Sequence, residues 1–235
     1  VGLRIYAVGD IHGRHDLLRG LHRLIAADAA QSAAERKRVV YLGDYIDRGL
    51  HSRDVIDILL DEPLEGFEGV YLLGNHEDFL LRFMDDPKIG PGWFMNGGGA
   101  TLYSYGVRML DRGTEIDRLN NVRQQLRDNL PDRHLRFMRA LEPWHSEGDY
   151  FFVHAGVRPG VPLEAQRDED ILWIRELFLD DTTDHGKIVV HGHSISAEPD
   201  VRSNRIGIDT GAYASGKLTC LVLEGSERRF LQTSG

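Results

Sequence analysis

Four short apolar runs in this sequence stop in the same way, with a glycine followed at once by a residue that can bind a metal. They are Val8-Gly9-Asp10, Leu42-Gly43-Asp44, Leu73-Gly74-Asn75 and, after Val189-Val190, His191-Gly192-His193. A fifth run, residues 150–153, ends at His154, with the small residues Ala155 and Gly156 after it. Glycine beside such a residue lets the backbone turn sharply and lets an ion or oxyanion come close to the main chain. A lone Asp after a strand is ordinarily a turn former or a helix cap. Five such endings in one chain are better explained by strands that share a sheet and deliver their last residues to one place.

The spacing of apolar residues supports that arrangement. Runs 3–8, 38–42 and 69–73 are each followed by a stretch with helical spacing, at 16–30, 52–60 and 76–84. Three strand and helix units in succession predict a largely parallel sheet, with ligands bound beyond the carboxyl ends of its strands. Residues 87–148 read differently, with a glycine-rich stretch at 96–99 and then a polar, helical pattern through residue 139. We read this region as a cap insertion. Strand signals return at 150–153, 187–190, 205–208, 217–223 and 228–232, which predicts a second sheet layer. The fold class expected is therefore α/β, a two-sheet β-sandwich flanked by helices, in one domain over residues 1–235. Cys220, the single cysteine, lies in an apolar run and reads as a buried small hydrophobe. A chain with no intramolecular disulfide fits a reducing compartment, and a cytoplasmic location is expected.

Asp, Asn and His supply oxygen and imidazole donors, which suit borderline to hard divalent ions such as Mn²⁺, Fe²⁺ or Zn²⁺. Mn²⁺ is the ion expected here. The donor set is too large for one open catalytic ion and suffices for two ions about 3.5–4 Å apart, the arrangement used for in-line displacement at phosphorus. With a net charge of −9 the chain offers no general electrostatic footprint for nucleic acid or an anionic membrane. An anionic substrate must be drawn locally. Two divalent ions outweigh Asp10, Asp44 and a hydroxide, and Arg48 adds a guanidinium whose fork matches phosphate oxygens.

Taken in order, Gly9-Asp10-Ile11-His12-Gly13, Gly43-Asp44-Tyr45-Ile46-Asp47-Arg48-Gly49 and Gly74-Asn75-His76-Glu77 resemble the signature of the PPP-type serine/threonine phosphatases. Val153-His154-Ala155-Gly156, Leu172-Trp173-Ile174-Arg175-Glu176, Gly192-His193-Ser194 and Ile208-Asp209-Thr210-Gly211 are similar to the bacterial and phage branch of that family. The resemblance implies that Asp10, His12 and Asp44 hold one metal and that Asp44, Asn75, His154 and His193 hold the other, with Asp44 as the bridge. It also implies that Arg48 and Arg175 grip the phosphate, with Asn75 touching it as well, and that His76 is the general acid, paired with Asp47. His191 rivals His193 as a ligand, but the glycine pattern and the family motif both favour His193.

The reaction so implied is phosphomonoester hydrolysis by a metal-bridging hydroxide, on phosphorylated protein or a small phosphate ester. A dinucleoside tetraphosphate hydrolase of the same superfamily is the alternative. Those enzymes usually resemble Gly-Asp-x-x-Ala-Arg-Gly in the second motif and end the third in Asp, where this chain has Asp47 and Glu77. His15, His22, His51, His134, His145 and His185 read as surface or packing residues. Trp173 reads as core. Trp93 with Asn96-Gly97-Gly98 resembles a loop beside the active site in the bacterial branch, while spacing alone fits a structural anchor equally well.

Overall fold

Where near-continuous apolar runs give way to helical spacing, the chain passes from strand to helix three times in succession. The computed structural model of the chain describes residues 2–108 and 112–234. β1 (Leu3–Val8) leads to α1 (His15–Ala29), β2 (Arg36–Tyr41) to α2 (Ser52–Asp61) and β3 (Glu68–Tyr71) to α3 (Asn75–Asp85). The next region holds α4 (Gly90–Trp93), a π turn over Phe94–Gly98, α5 (Gly99–Ser104), α6 (Glu115–Asn129) and α7 (Asp132–Arg139). Residues 109–111 of the stretch read as an insertion lie outside those described. The chain continues through β4 (Trp144–Glu147), β5 (Tyr150–Val153), α8 (Asp168–Trp173), α9 (Glu176–Leu179), β6 (Ile188–His191), β7 (Asp200–Val201) and β8 (Arg205–Gly207). It closes with α10 (Ala212–Ser215), β9 (Thr219–Glu224) and β10 (Glu227–Gln232).

These strands form two mixed sheets, ordered β10-β9-β1-β2-β3 and β4-β5-β6-β8-β7. β1, β2 and β3 run parallel, as do β5, β6 and β8, so the carboxyl ends within each set lie at one edge. The α/β two-sheet class expected from the sequence is the one observed. β4 and β7 gave no strand signal. Both are short antiparallel edge strands with polar residues, and β4 lies inside the 87–148 stretch read as a cap.

Because side chains alternate across a strand, an apolar residue at every position is buried on both faces. Ile5, Ala7, Val40 and Leu42 meet Phe152, Val190 and Ile206 between the sheets. Tyr6, Val8, Val39 and Tyr41 point the other way, against Leu18, Leu21 and Ile25 of α1 and Val55 and Ile56 of α2. On the far side, Phe151 and Val189 pack on Leu172 and Phe178 of α8 and α9. The result is helix, sheet, sheet, helix, with Cys220 buried as expected. No helix among the described residues is long and apolar enough to cross a membrane.

On the helix side of the first sheet, His22 is buried in α1 with Nε2 2.8 Å from the Tyr41 hydroxyl. Burial lowers its pKa from 6.5 to about 4, against a weaker opposing effect of Glu62. A depressed histidine favours the fold while neutral, so this contribution is present above about pH 6.5 and is lost as pH falls towards 4, at about 1.4 kcal/mol per unit. His22→Gln keeps a partner for Tyr41 without titrating. It should lose less stability than wild type between pH 7 and 4.5, by an amount on the order of 2–3 kcal/mol in urea unfolding. Identical pH dependence would show that His22 does not contribute.

Candidate metal centre

The edges where the parallel strands end are tied together by their own backbone. Leu42 donates its N–H to Val8, Gly192 donates to the His154 carbonyl, and His154 Nδ1–H reaches across the sheets to the Leu42 carbonyl at 2.9 Å. The Gly192 N–H to His154 bond is 2.8 Å long, and a Cβ at Gly192 would overlap Asp10 Oδ1. Glycine is required there for the two strand ends to meet.

Asp10, His12, Asp44, Asn75, His154 and His193 are all buried together at this junction. Asp44 lies in the middle, with Oδ2 3.4 Å from His12 Nε2 and Oδ1 3.4 Å from His154 Nε2. Asp10 accepts the His193 backbone N–H at 3.0 Å. Asn75 Oδ1 is 2.8 Å from His154 Nε2 and 3.0 Å from His193 Nδ1. His191 points elsewhere: its ring packs on Phe178, and Nε2 lies 3.4 Å from Arg205.

The arrangement fits divalent cations on three observations. His12 commits Nδ1–H to the Ile46 carbonyl at 2.8 Å, which leaves Nε2 as a lone pair, and that atom is buried with no hydrogen-bond partner. His193 Nε2 is likewise buried and unpartnered. With Nδ1–H of His154 committed to Leu42, neutral His154 meets Asn75 Oδ1 lone pair to lone pair, a repulsion that a cation between them relieves. Burial drives the imidazoles to the neutral form that ligates metals, His12 down to about 3 and His193 to about 2. Burial also raises Asp10 well above the usual carboxylate range, with Asp209 and Asp44 adding to the effect, and lifts Asp209 to about 6. Neutral ligands beside uncompensated acids are what a metal site looks like without its charge.

Beside the cage, His76 Nδ1–H donates to Asp47 Oδ2 at 2.7 Å, and His76 Nε2 lies 3.7 Å from Asp44 Oδ2. Burial alone would lower the His76 pKa, but the Asp44 charge and the Asp47 bond outweigh it and the pKa is raised. Asp47 is held by two further donors, Thr101 Oγ1 at 2.5 Å and Trp93 Nε1 at 2.7 Å. Trp93 is fully buried, so the residue left open by the sequence is an anchor that also touches the site.

The two arginines flank the cage. Arg48 lies over the Tyr213 ring, 4.9 Å from its centroid, and Tyr213 meets His12 edge to face at 5.5 Å. Arg175 reaches Ser194 Oγ at 3.4 Å, one residue after His193. Trp173, expected in the core, is half-buried against the cluster of Phe151 and Phe178, and its ring lies perpendicular to that of His193, with centroids 6.0 Å apart. Among the described residues, the non-glycine residues with positive φ are His12, Asp44, Asp47, Arg48 and His193. Such backbone costs about 1–3 kcal/mol per residue and collects at functional sites. Sequence reasoning gave no role to Asp209, Thr101 or Tyr213. Asp209 was findable, because it too follows a short strand and precedes a glycine by two.

The profile of the calcineurin-like phosphoesterase family matches residues 3–218. The chain belongs to that family. Its members are metal-dependent hydrolases of phosphate esters, in keeping with the His and Asp cluster described above. Serine/threonine-protein phosphatase 2 of Salmonella typhimurium is 29% identical over 225 residues, covering 92% of this chain and 90% of that protein. The asymmetrical bis(5'-nucleosyl)-tetraphosphatase PrpE of Bacillus cereus is 22% identical over 233 residues, 91% of this chain and 88% of its own. The same fold occurs in the cold-active protein-tyrosine phosphatase of a psychrophilic Shewanella species, with a TM-score of 0.58 at 16% identity over 97% of this chain and 78% of that one.

Trp93→Phe keeps the ring and deletes the donor to a buried carboxylate, so it should destabilise the protein by about 1.5–3 kcal/mol in urea unfolding. A loss below about 0.5 kcal/mol would show that the indole only packs.

Proposed function

We propose that this chain hydrolyses phosphomonoesters with two divalent ions, Mn²⁺ foremost and Fe or Zn as substitutes, and that its substrates are phosphoserine and phosphothreonine in proteins. The observation that carries this reading is the His76–Asp47 pair, whose Nδ1–H···O bond of 2.7 Å turns Nε2 towards the cage. A serine or threonine alkoxide is a poor leaving group, and a proton delivered by His76 Nε2 lets it depart as an alcohol. Asp47 holds the imidazole in the orientation and charge state for that transfer, and is itself held by Thr101 and Trp93.

Asp10, His12 and Asp44 would hold one ion, and Asp44, Asn75, His154 and His193 the other. When bound, such ions supply a nucleophile from water at neutral pH and offset the charge of the substrate. Arg48, over Tyr213, and Arg175, beside Ser194, would clasp the phosphoryl oxygens, and Asn75 would touch the same group. No covalent phosphoenzyme is needed.

The similarity to the Salmonella protein phosphatase supports this substrate class. The similarity to the Bacillus tetraphosphatase favours a second reading, hydrolysis of dinucleoside tetraphosphates. Asp47 and Glu77 in the second and third motifs weigh towards the protein phosphatase.

A side-by-side assay of the Mn²⁺-loaded protein on phosphoserine, phosphothreonine and phosphotyrosine peptides, an aryl phosphate and diadenosine tetraphosphate tests both readings. The phosphoserine and phosphothreonine peptides should show the highest kcat/KM. His76→Asn should lower hydrolysis of the phosphoserine peptide by about 10²-fold or more and that of the aryl phosphate far less, since a phenolate leaves unprotonated. Equal losses would remove His76 from the acid role, and a higher kcat/KM on the dinucleotide would replace the protein substrate with the nucleotide.

A further inference from the structure

The loop that carries His12 and the loop that carries Arg48 are pressed backbone to backbone. Gly13 donates its N–H to the Tyr45 carbonyl at 2.9 Å, a Cβ at Gly13 would overlap the Gly49 carbonyl, and a Cβ at Gly49 would overlap that of His12. Two residues beyond each glycine stands a histidine, His15 at the start of α1 and His51 just before α2. The close approach therefore brings together two imidazoles that the cage does not use, with ring centroids 4.3 Å apart and planes inclined at 50°. Asp54, one turn into α2, places Oδ2 3.0 Å from His51 Nδ1.

We propose that His15, His51 and Asp54 form a separate binding site, outside the cage, for a borderline divalent ion such as Zn²⁺. Each residue offers one donor atom, and the three lie within 4.8 Å of one another. His15 Nδ1 is buried with no hydrogen-bond partner, so this imidazole, next to that of His51, has a nitrogen left unused. His51 and Asp54 are about half exposed, at 53% and 52%, and free to turn onto an ion. Two nitrogens and one carboxylate oxygen, with room for water as a fourth ligand, are a donor set that Zn²⁺ accepts and that harder ions satisfy less well. The cations nearby are already engaged: Arg14 pairs with Asp16 at 2.7 Å and Arg53 with Asp57 at 3.9 Å. An ion here staples the start of α1 to the start of α2, and so fixes the His12 loop against the loop of Asp47 and Arg48. The competing account is that His51 and Asp54 are only a surface pair three residues apart on the first turn of α2.

The test compares the full chain with and without His51→Asn, each in the wild-type and the Asp44→Asn background, by equilibrium dialysis against buffered Zn²⁺ with metal analysis. Asp44→Asn disables the cage, so the readout does not depend on the phosphatase reading. Whatever the cage retains, His51→Asn should remove one equivalent of Zn²⁺ in both backgrounds and should shrink the rise in Tm that Zn²⁺ produces. Asp54→Asn should weaken the same equivalent. If the Asp44→Asn background does not fold, the wild-type pair alone decides. Equal Zn²⁺ content with and without His51→Asn would overturn the proposal.

Discussion

One buried carboxylate holds open the loop on which the site is built. Glu77 accepts the backbone N–H groups of Asp44, Tyr45, Ile46 and Gly74 at 2.8–3.2 Å. That loop carries Asp44, Asp47 and Arg48 in left-handed conformations, with φ of 53°, 70° and 65°. Side chains other than glycine resist this region, and three such residues in five cost several kcal/mol together, at about 1–3 each. Four backbone hydrogen bonds on one side chain, each worth about 0.5–1.5 kcal/mol net, offset much of that strain. Gly97, with φ of 101°, completes the support by accepting the Arg48 N–H at 3.2 Å. A Cβ at Gly97 would crowd Arg48 N at 3.0 Å, so the glycine-rich stretch is needed for the arginine to stay where it is.

From that loop the chemistry follows by geometry. Asp44 faces His12 on one side and His154 on the other, and His76 stands above it, tied to Asp47. Burial leaves His12 and His193 neutral and Asp10 without a compensating charge, which makes the junction receptive to cations within a chain of net charge −9. Arg48 lies over Tyr213 and Arg175 beside Ser194, which puts two guanidinium groups close to the junction in an otherwise acidic chain.

The strand ends were legible in the sequence because a glycine next to a ligand is a local pattern, and the parallel sheets convert that pattern directly into proximity. Period and run length were enough for β1, β5, β9 and the second half of β2, which are buried on both faces. They were not enough for β4 and β7, whose Trp-His-Ser-Glu and Asp-Val stretches carry no alternation and survive as strands only because a neighbour pairs with them. The His76–Asp47 pairing entered through the family resemblance alone. Thr101 and Trp93 reach Asp47 across 54 and 46 residues, and no spacing rule connects positions so far apart. Trp173 packs on the core as its apolar bulk suggests, and it also lies perpendicular to the His193 ring, a contact that no spacing rule foretells.

Whether Asp44 bridges two ions held by the strand ends can be seen by anomalous diffraction from Mn²⁺-loaded crystals of the full chain. Two peaks should appear about 3.5–4 Å apart with the Asp44 carboxylate between them, one beside Asp10 and His12 and the other beside Asn75, His154 and His193. A single peak at the junction, or ions that leave Asp44 without contact, would contradict the bridge.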